Sequence, residues 1–175
     1  KEFTDDDYES WGIVNADGRL TNAGALLADE SPVRHSRIFC TRWNGLDQAH
    51  GIMDALDDTE VSGSLVILLQ EGLDFCRRNS KKMWYKTPDG RVELPGYPEE
   101  SILEGLVNAL IHRSYIEIGG EVHIDIFDNR IEISSPGGMY ENKPVQDCDI
   151  MSIKSRRRNP VLADIFSRLK YMERR

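Results

Sequence analysis

The chain is poor in cysteine, has no long apolar run and carries no excess of positive charge, and each shortage argues against a class of protein. Only three cysteines occur in 175 residues, Cys40, Cys76 and Cys148, far apart, with no CxxC pair and no neighbouring histidine cluster. That pattern disfavours a disulfide framework or a zinc site, and buried thiols in a reducing compartment are expected instead. No apolar run approaches the roughly 18 residues of a membrane span. The opening KEFTDDDYESWG has neither the basic nor the apolar region of a signal peptide. A soluble, cytoplasmic protein with no membrane partner is expected. The net charge of −8 argues against a surface coated for nucleic acid, because neutralising phosphates dominates such affinity. Contact with DNA is therefore expected to be local or to lie outside this chain. No G-x-x-x-x-G-K-[ST] phosphate loop, internal repeat or low-complexity tract is present.

What remains is an ordinary globular composition, 39% hydrophobic and 30% charged, enough for one unit or for one unit and part of a neighbour. The start at Lys1 without Met, and the end at YMERR with no helix-capping Gly or Asn, point to a piece of a longer protein. Residues 1–31 read as a polar lead, a turn at 15–18 and a short helix in LTNAGALLADE capped by Thr21 or Asn22. SRIFCTRW, rich in β-branched and aromatic residues, reads as a strand. From Val61 to about Asn79 the pattern is helical, and its basic end, CRRNSKK, suits a helix C-terminus. KMWYKT and RVELPGY flank Pro88, Asp89 and Gly90 as a hairpin. EVHIDIF and RIEIS alternate apolar and polar residues around Asp128 and Asn129 as a second hairpin, each strand with one wet face. Asn159 caps and Pro160 opens a last helix with a stripe of Val161, Leu162, Ile165, Phe166 and Leu169. Hairpins, rather than helical crossovers, predict an α+β fold, a two-layer sandwich of mixed, mostly antiparallel sheet with helices on one face.

One further helix, over residues 98–113, carries the chemistry. Pro98 fits its first position, and Glu99 and Glu100 fall where the helix dipole favours anions. Leu103, Leu106, Val107, Leu110 and Ile111 share one arc, while Glu104, Asn108 and His112 recur every fourth residue along its margin. Two readings of that margin stand. One is a solvated edge. The other is a pocket wall, in which the Asn108 amide oxygen offers Mg2+ a neutral hard ligand and Glu104, one turn earlier, orients or deprotonates a water. His112 could carry a proton near pH 7 or make a structural hydrogen bond. The same wheel puts Arg113 away from the margin, as a surface or interface residue. Trp11, Trp43 and Trp84 read as core or interface aromatics.

The block EGLVNALIHRSYIEIGGEVHIDIFDNRIEISSPGGM resembles the nucleotide-binding half of the GHKL ATPases, the superfamily of gyrase B and the histidine kinases. The E-x-x-x-N of Glu104 and Asn108 resembles its N box, and SSPGG falls at its D-x-G-x-G adenine box. LTNAGALLADESP, RIFCTRWNG, VNALIHRSY, RIEISSPGG and RRRNPVLADIFSRLKYMERR together resemble a prokaryotic family of RecG-like ATP-dependent helicases or transcriptional regulators. Its members carry an Alba-type, Schlafen-like DNA-binding domain before a divergent GHKL module. The resemblance implies a connecting segment over residues 1–60 and an ATPase-like module over 61–175, ending before its last glycine box. It implies ATP and Mg2+ as cofactors, with Asn108 on the metal and Glu104 as the catalytic residue in members that hydrolyse. It also implies nucleotide contacts from Ser134, Gly137 and Gly138, beside which His112 is a candidate contact on its own chemistry.

Two departures bear on that implication. Ser134 stands where the superfamily has the Asp that binds the adenine amino group, and Pro136 replaces the first Gly of the box. Only Gly137 and Gly138 remain to let backbone approach a ligand. A degenerate module serving homo-oligomerisation or partner binding is the alternative that these losses motivate. Residues 154–158 form the one concentrated basic run. It reads as a solvated loop, as a nucleic-acid contact or, given its place after the adenine box, as a nucleotide lid with Lys154 and Arg156 on the phosphates. Ser155 has no base or orienting acid to make it a nucleophile.

Overall fold

Alternation of side chains along one strand organises the molecule. In β1 (Arg37–Trp43) every second residue is buried: Ile38, Cys40 and Arg42. The intervening side chains, Arg37, Phe39, Thr41 and Trp43, form the other face, on which Phe39 stacks with His123 at 5.3 Å. Strand β1 pairs antiparallel with β2 (Ala55–Ser62) and parallel with β5 (Val122–Ile126), and β5 pairs antiparallel with β6 (Ile131–Ser134). The sheet order is therefore β2-β1-β5-β6, mixed and mostly antiparallel, with helices packed against one face as the sequence predicts. The computed structural model describes residues 3–49, 54–138, 145–147 and 157–172.

Helix α3 (Leu65–Asn79) begins where Gly63, at φ +141°, ends the strand and Ser64 caps the Ile67 amide. It buries Leu65, Leu68, Leu69, Leu73, Phe75 and Cys76. At Gly72 a Cβ would lie 3.1 Å from Ile124 Cδ1, so glycine lets this helix seat closely on the sheet. Helices α4 (Glu99–Ile111) and α5 (Pro160–Arg168) complete the layer, burying Leu106, Val107, Leu110 and Ile111 from one and Leu162, Ile165 and Phe166 from the other. Between α3 and α4 a separate two-stranded ribbon, β3 (Lys82–Thr87) and β4 (Gly90–Pro95), turns through Pro88 and Asp89. Near the start, α2 (Asn22–Leu27) is capped by Thr21. Among the described residues no helix is long and apolar enough to cross a membrane.

Several local expectations are corrected. Residues 5–10 form a helix, α1 (Asp5–Ser10), held by a reciprocal cap between Thr4 and Asp7. The helical reading from Val61 is wrong over its first residues, because Val61 and Ser62 belong to β2. An acidic stretch such as ALDDTEVS has weak strand propensity. It is fixed by pairing with β1 and by Asp57, which accepts hydrogen bonds from Asn79 Nδ2 at 2.7 Å and Arg78 Nε at 3.1 Å. A boundary placed after residue 60 thus falls inside β2. In α5, Val161 and Leu169 are more than a third exposed while Ala163 is buried, so the buried arc is narrower and rotated.

Cys40 and Cys76 are buried and free, whereas Cys148 lies outside the described residues. Burial, with a smaller contribution from neighbouring Cys76, pushes the Cys40 thiol up to about 12, and burial alone pushes Cys76 up to about 11. Both should resist a thiol-specific alkylating reagent at pH 8 in the native protein and react on denaturation, because the thiolate is the nucleophile. Peptide mapping of labelled cysteines checks this. Rapid native labelling of either position would contradict the packing.

Candidate functional site at the end of helix α4

Helix α4 starts at Pro98, whose extended backbone (φ −61°, ψ 127°) makes it the residue before the helix rather than its first residue. Glu99 and Glu100 occupy the first turn, and Glu99 pairs with Arg77. The helix lies on β6, where a Cβ at Gly105 would come 3.0 Å from Ile133 Cδ1. With the apolar arc against the sheet, Glu104 and Asn108 are exposed along one margin and His112, the C-terminal cap, is half-buried. The margin is thus open to solvent, with its far end drawn toward the protein.

That far end is where the chain converges. After β6, Ser135 Oγ donates to the Ala109 carbonyl at 2.8 Å, and the Ser114 amide donates to the Pro136 carbonyl at 3.0 Å. Gly120 packs so closely that a Cβ there would lie 2.8 Å from Pro136 Cγ. Gly137 has φ +104°, a conformation that L side chains rarely adopt. Arg158 donates to the Gly138 carbonyl and lies on Gly137, where an added Cβ would meet its guanidinium. Asn159 Nδ2 donates to the carbonyls of Ile111 at 2.8 Å and Arg113 at 2.9 Å. Its side chain therefore ties α5 to the end of α4 instead of capping its own helix.

Of the residues singled out in the sequence, Gly137, Gly138 and His112 come together here, with Arg158 as the adjoining cation. Burial, and then the charges of Arg158 and Arg157, hold the His112 imidazole below its ordinary value. Ser134 goes elsewhere. Strand alternation puts it beside Glu132 on the open face of the sheet, opposite inward-packed Ile133. Ser135 takes the position turned toward α4. Lys154 and Arg156 lie outside the described residues. Ser135, Ser114 and Arg158 were not singled out individually. The inward places of Ile131 and Ile133 give a signal for Ser135 by simple alternation, but nothing local marks Ser114.

Arg113 overturns its surface reading. Its side chain is 1% exposed. Nη1 donates to the His35 carbonyl at 2.8 Å, Nη2 donates to the Gly120 carbonyl, and the Tyr115 ring lies 5.1 Å from the guanidinium. Burial holds this arginine below its ordinary value. Its Nε has no hydrogen-bond partner among the described residues. Arg113 thereby clamps the loop carrying Gly120, which in turn packs on Pro136. Among the described residues no group of three His, Cys, Asp or Glu side chains could hold a metal.

An α+β sandwich with a glycine turn folded onto the end of one helix defines the class of structure. Residues 119–175, from just before β5 through α5, match the family model described as "Putative ATP-dependent DNA helicase recG C-terminal". Among solved structures the chain is similar to the crystal structure of the DIP2311 protein from Corynebacterium diphtheriae, with a TM-score of 0.76 and 21% identity over 98% of this chain. At that identity the likeness is one of fold. The chain spans 34% of the length of that structure. No curated protein matches.

Replacing Arg113 with Ala removes the donors of two part-buried carbonyls and leaves a void where the side chain was buried. It should cost about 3 kcal/mol, at 1–3 kcal/mol for each unsatisfied group. Arg113→Lys should recover little, because one ammonium cannot reproduce the forked geometry. Urea denaturation of both variants measures the effect, and a wild-type midpoint for either would remove Arg113 as a clamp.

Proposed function

We propose that the chain is a nucleotide-binding module, with ATP as its ligand, within a DNA-linked prokaryotic regulator whose DNA-binding domain lies outside these residues. The observation that carries the reading is the glycine turn at Gly137 and Gly138, touched by Arg158 and anchored by the residues before it, Ser135 on the Ala109 carbonyl of α4 and Pro136 on the Ser114 amide. Glycines there let backbone approach a ligand closely. The match to the ATP-dependent helicase family model adds support, since it spans this turn and α5.

In this reading Arg158 contacts the phosphates, as does His112 when protonated, and Lys154 and Arg156 add cations from the neighbouring run. Asn108 and Glu104 lie one turn apart on the open margin. The donor set fits Mg2+ carried in with the nucleotide rather than a resident ion. Asn108 offers a single neutral oxygen, and magnesium accepts one or two protein ligands together with phosphates and waters. Bound Mg2+ would neutralise phosphate charge. Glu104, exposed and free to reach solvent, orients a water in the event of hydrolysis.

The outward Ser134 favours a second reading, a degenerate module for oligomerisation or partner binding, because no carboxylate replaces the adenine-binding Asp there. Titration calorimetry of Mg·ATP into the intact protein separates the two. Saturable binding, lost in Asn108→Ala without a change in melting temperature, is expected, and absence of heat and of thermal stabilisation would leave the second reading.

His112 supplies an independent check. Its folded value lies below 6.5, so between the two values the unfolded chain binds more protons. Its contribution to stability is therefore complete above pH 6.5 and declines as pH falls toward the folded value. A triphosphate near Arg158 would raise the imidazole, so NMR titration of His112 should show an upward displacement on adding Mg·ATP. An unmoved titration would place the phosphates elsewhere.

A further inference from the structure

The ribbon β3–β4 is among the most exposed elements of the described fold, and nothing in the nucleotide reading uses it. Among the described residues it pairs with no other strand. Met83 is 63% exposed, Trp84 52%, Tyr85 50% and Leu94 43%. Its register divides the side chains: Met83, Tyr85, Val92 and Leu94 share one face, whereas Lys82, Trp84, Lys86, Arg91 and Glu93 share the other. The helix end that feeds it adds Arg77, Arg78 and Lys81.

Charge separates this region from the rest of the chain. Residues 77–91 contain six of the 22 lysines and arginines and one of the 30 acids. The segment therefore carries +5, and the remainder −13. Arg77, Arg78, Lys81 and Arg91 meet carboxylates, all in pairs open to solvent. Such exposed pairs are weak and exchange readily for other anions. Lys82 and Lys86 meet no carboxylate among the described residues. The Arg91 guanidinium lies 4.8 Å from the Trp84 ring centroid and 2.8 Å from Glu93, so a flat stacked arginine with one exchangeable carboxylate partner sits between the two lysines.

We propose that this ribbon is a duplex DNA contact, with Lys82, Lys86 and Arg91 on phosphates and Trp84 against the groove wall. A two-stranded ribbon fits the B-form major groove, about 12 Å wide, and four residues of strand place Lys82 and Lys86 about 13 Å apart. The two lysines can thus straddle the groove. An A-form RNA duplex would not admit the ribbon, because its major groove is deep and narrow. The overall negative charge works with this arrangement: repulsion from the rest of the surface confines a polyanion to the one basic projection. The inference is independent of nucleotide binding.

The test is fluorescence anisotropy of a labelled mixed-sequence DNA duplex of about 20 base pairs, titrated with the intact protein over a range of salt. Lys82→Glu combined with Lys86→Glu should weaken binding more than tenfold at low salt. Lys82→Ala combined with Lys86→Ala should make the dependence of log affinity on log salt shallower by about 2, one for each lost phosphate contact. Asp58→Asn with Glu132→Gln, on the open sheet face, should leave that slope unchanged. Both lysine variants should keep the wild-type melting temperature, since the positions are exposed. An unchanged slope in the alanine variant, or no duplex binding by the wild type, overturns the proposal. So would a salt dependence that stays the same while sedimentation shows a wild-type dimer lost in the glutamate variant, which would assign the ribbon to a second copy of the chain.

Discussion

Parallel pairing of β1 with β5 sets the geometry on which the rest depends. Parallel neighbours cannot be joined by a tight turn, so the chain must leave the sheet and return. Between Trp43 and Val122 it adds edge strand β2, crosses with α3, projects the ribbon and returns through α4. Both long helices therefore lie over the inward side chains of β1 and β5, where Ile38 pairs with Val122 and Cys40 with Ile124. Helix α4 ends beside β5 and β6, so the turn after β6 meets it there.

Buried polar groups then fix how that meeting occurs. Arg113 serves two carbonyls from loops distant in sequence, and Asn159 serves two carbonyls at the end of α4. Each satisfies backbone groups that would be costly to leave unpaired. At the opposite end of the sheet Arg42 does similar work. It donates to the Ile126 carbonyl at 3.1 Å and pairs with Asp128 at 2.6 Å, which holds the Asp128 carboxyl below the usual range. The glycine turn is thus held by side chains, while Glu104 and Asn108 remain open.

Much of the architecture was legible because it is written in periodicity. The wet and dry alternation of VHIDI and IEIS, the arc of Leu106, Val107, Leu110 and Ile111, and the turn through Pro88 and Asp89 each express a local rule that the fold obeys. The failures have a common cause. ALDDTEVS is too acidic to read as a strand until β1 and Asn79 engage it. Arg113 is too charged to read as buried until the His35 and Gly120 carbonyls surround it. Asn159 looks like a cap until its amide finds another helix.

The sequence by itself determined the fold class, the amphipathic helix with Glu104, Asn108 and His112 on one margin, and the glycine pair at 137 and 138, because those follow from near-neighbour spacing. Only the tertiary structure decided that Ser135 rather than Ser134 faces α4, that Arg158 reaches the glycine turn, and that the ribbon with Lys82, Lys86 and Arg91 stands exposed and unpaired by the main sheet. Those outcomes depend on which distant backbone groups need partners and which faces are left uncovered once the sheet has closed on its helices.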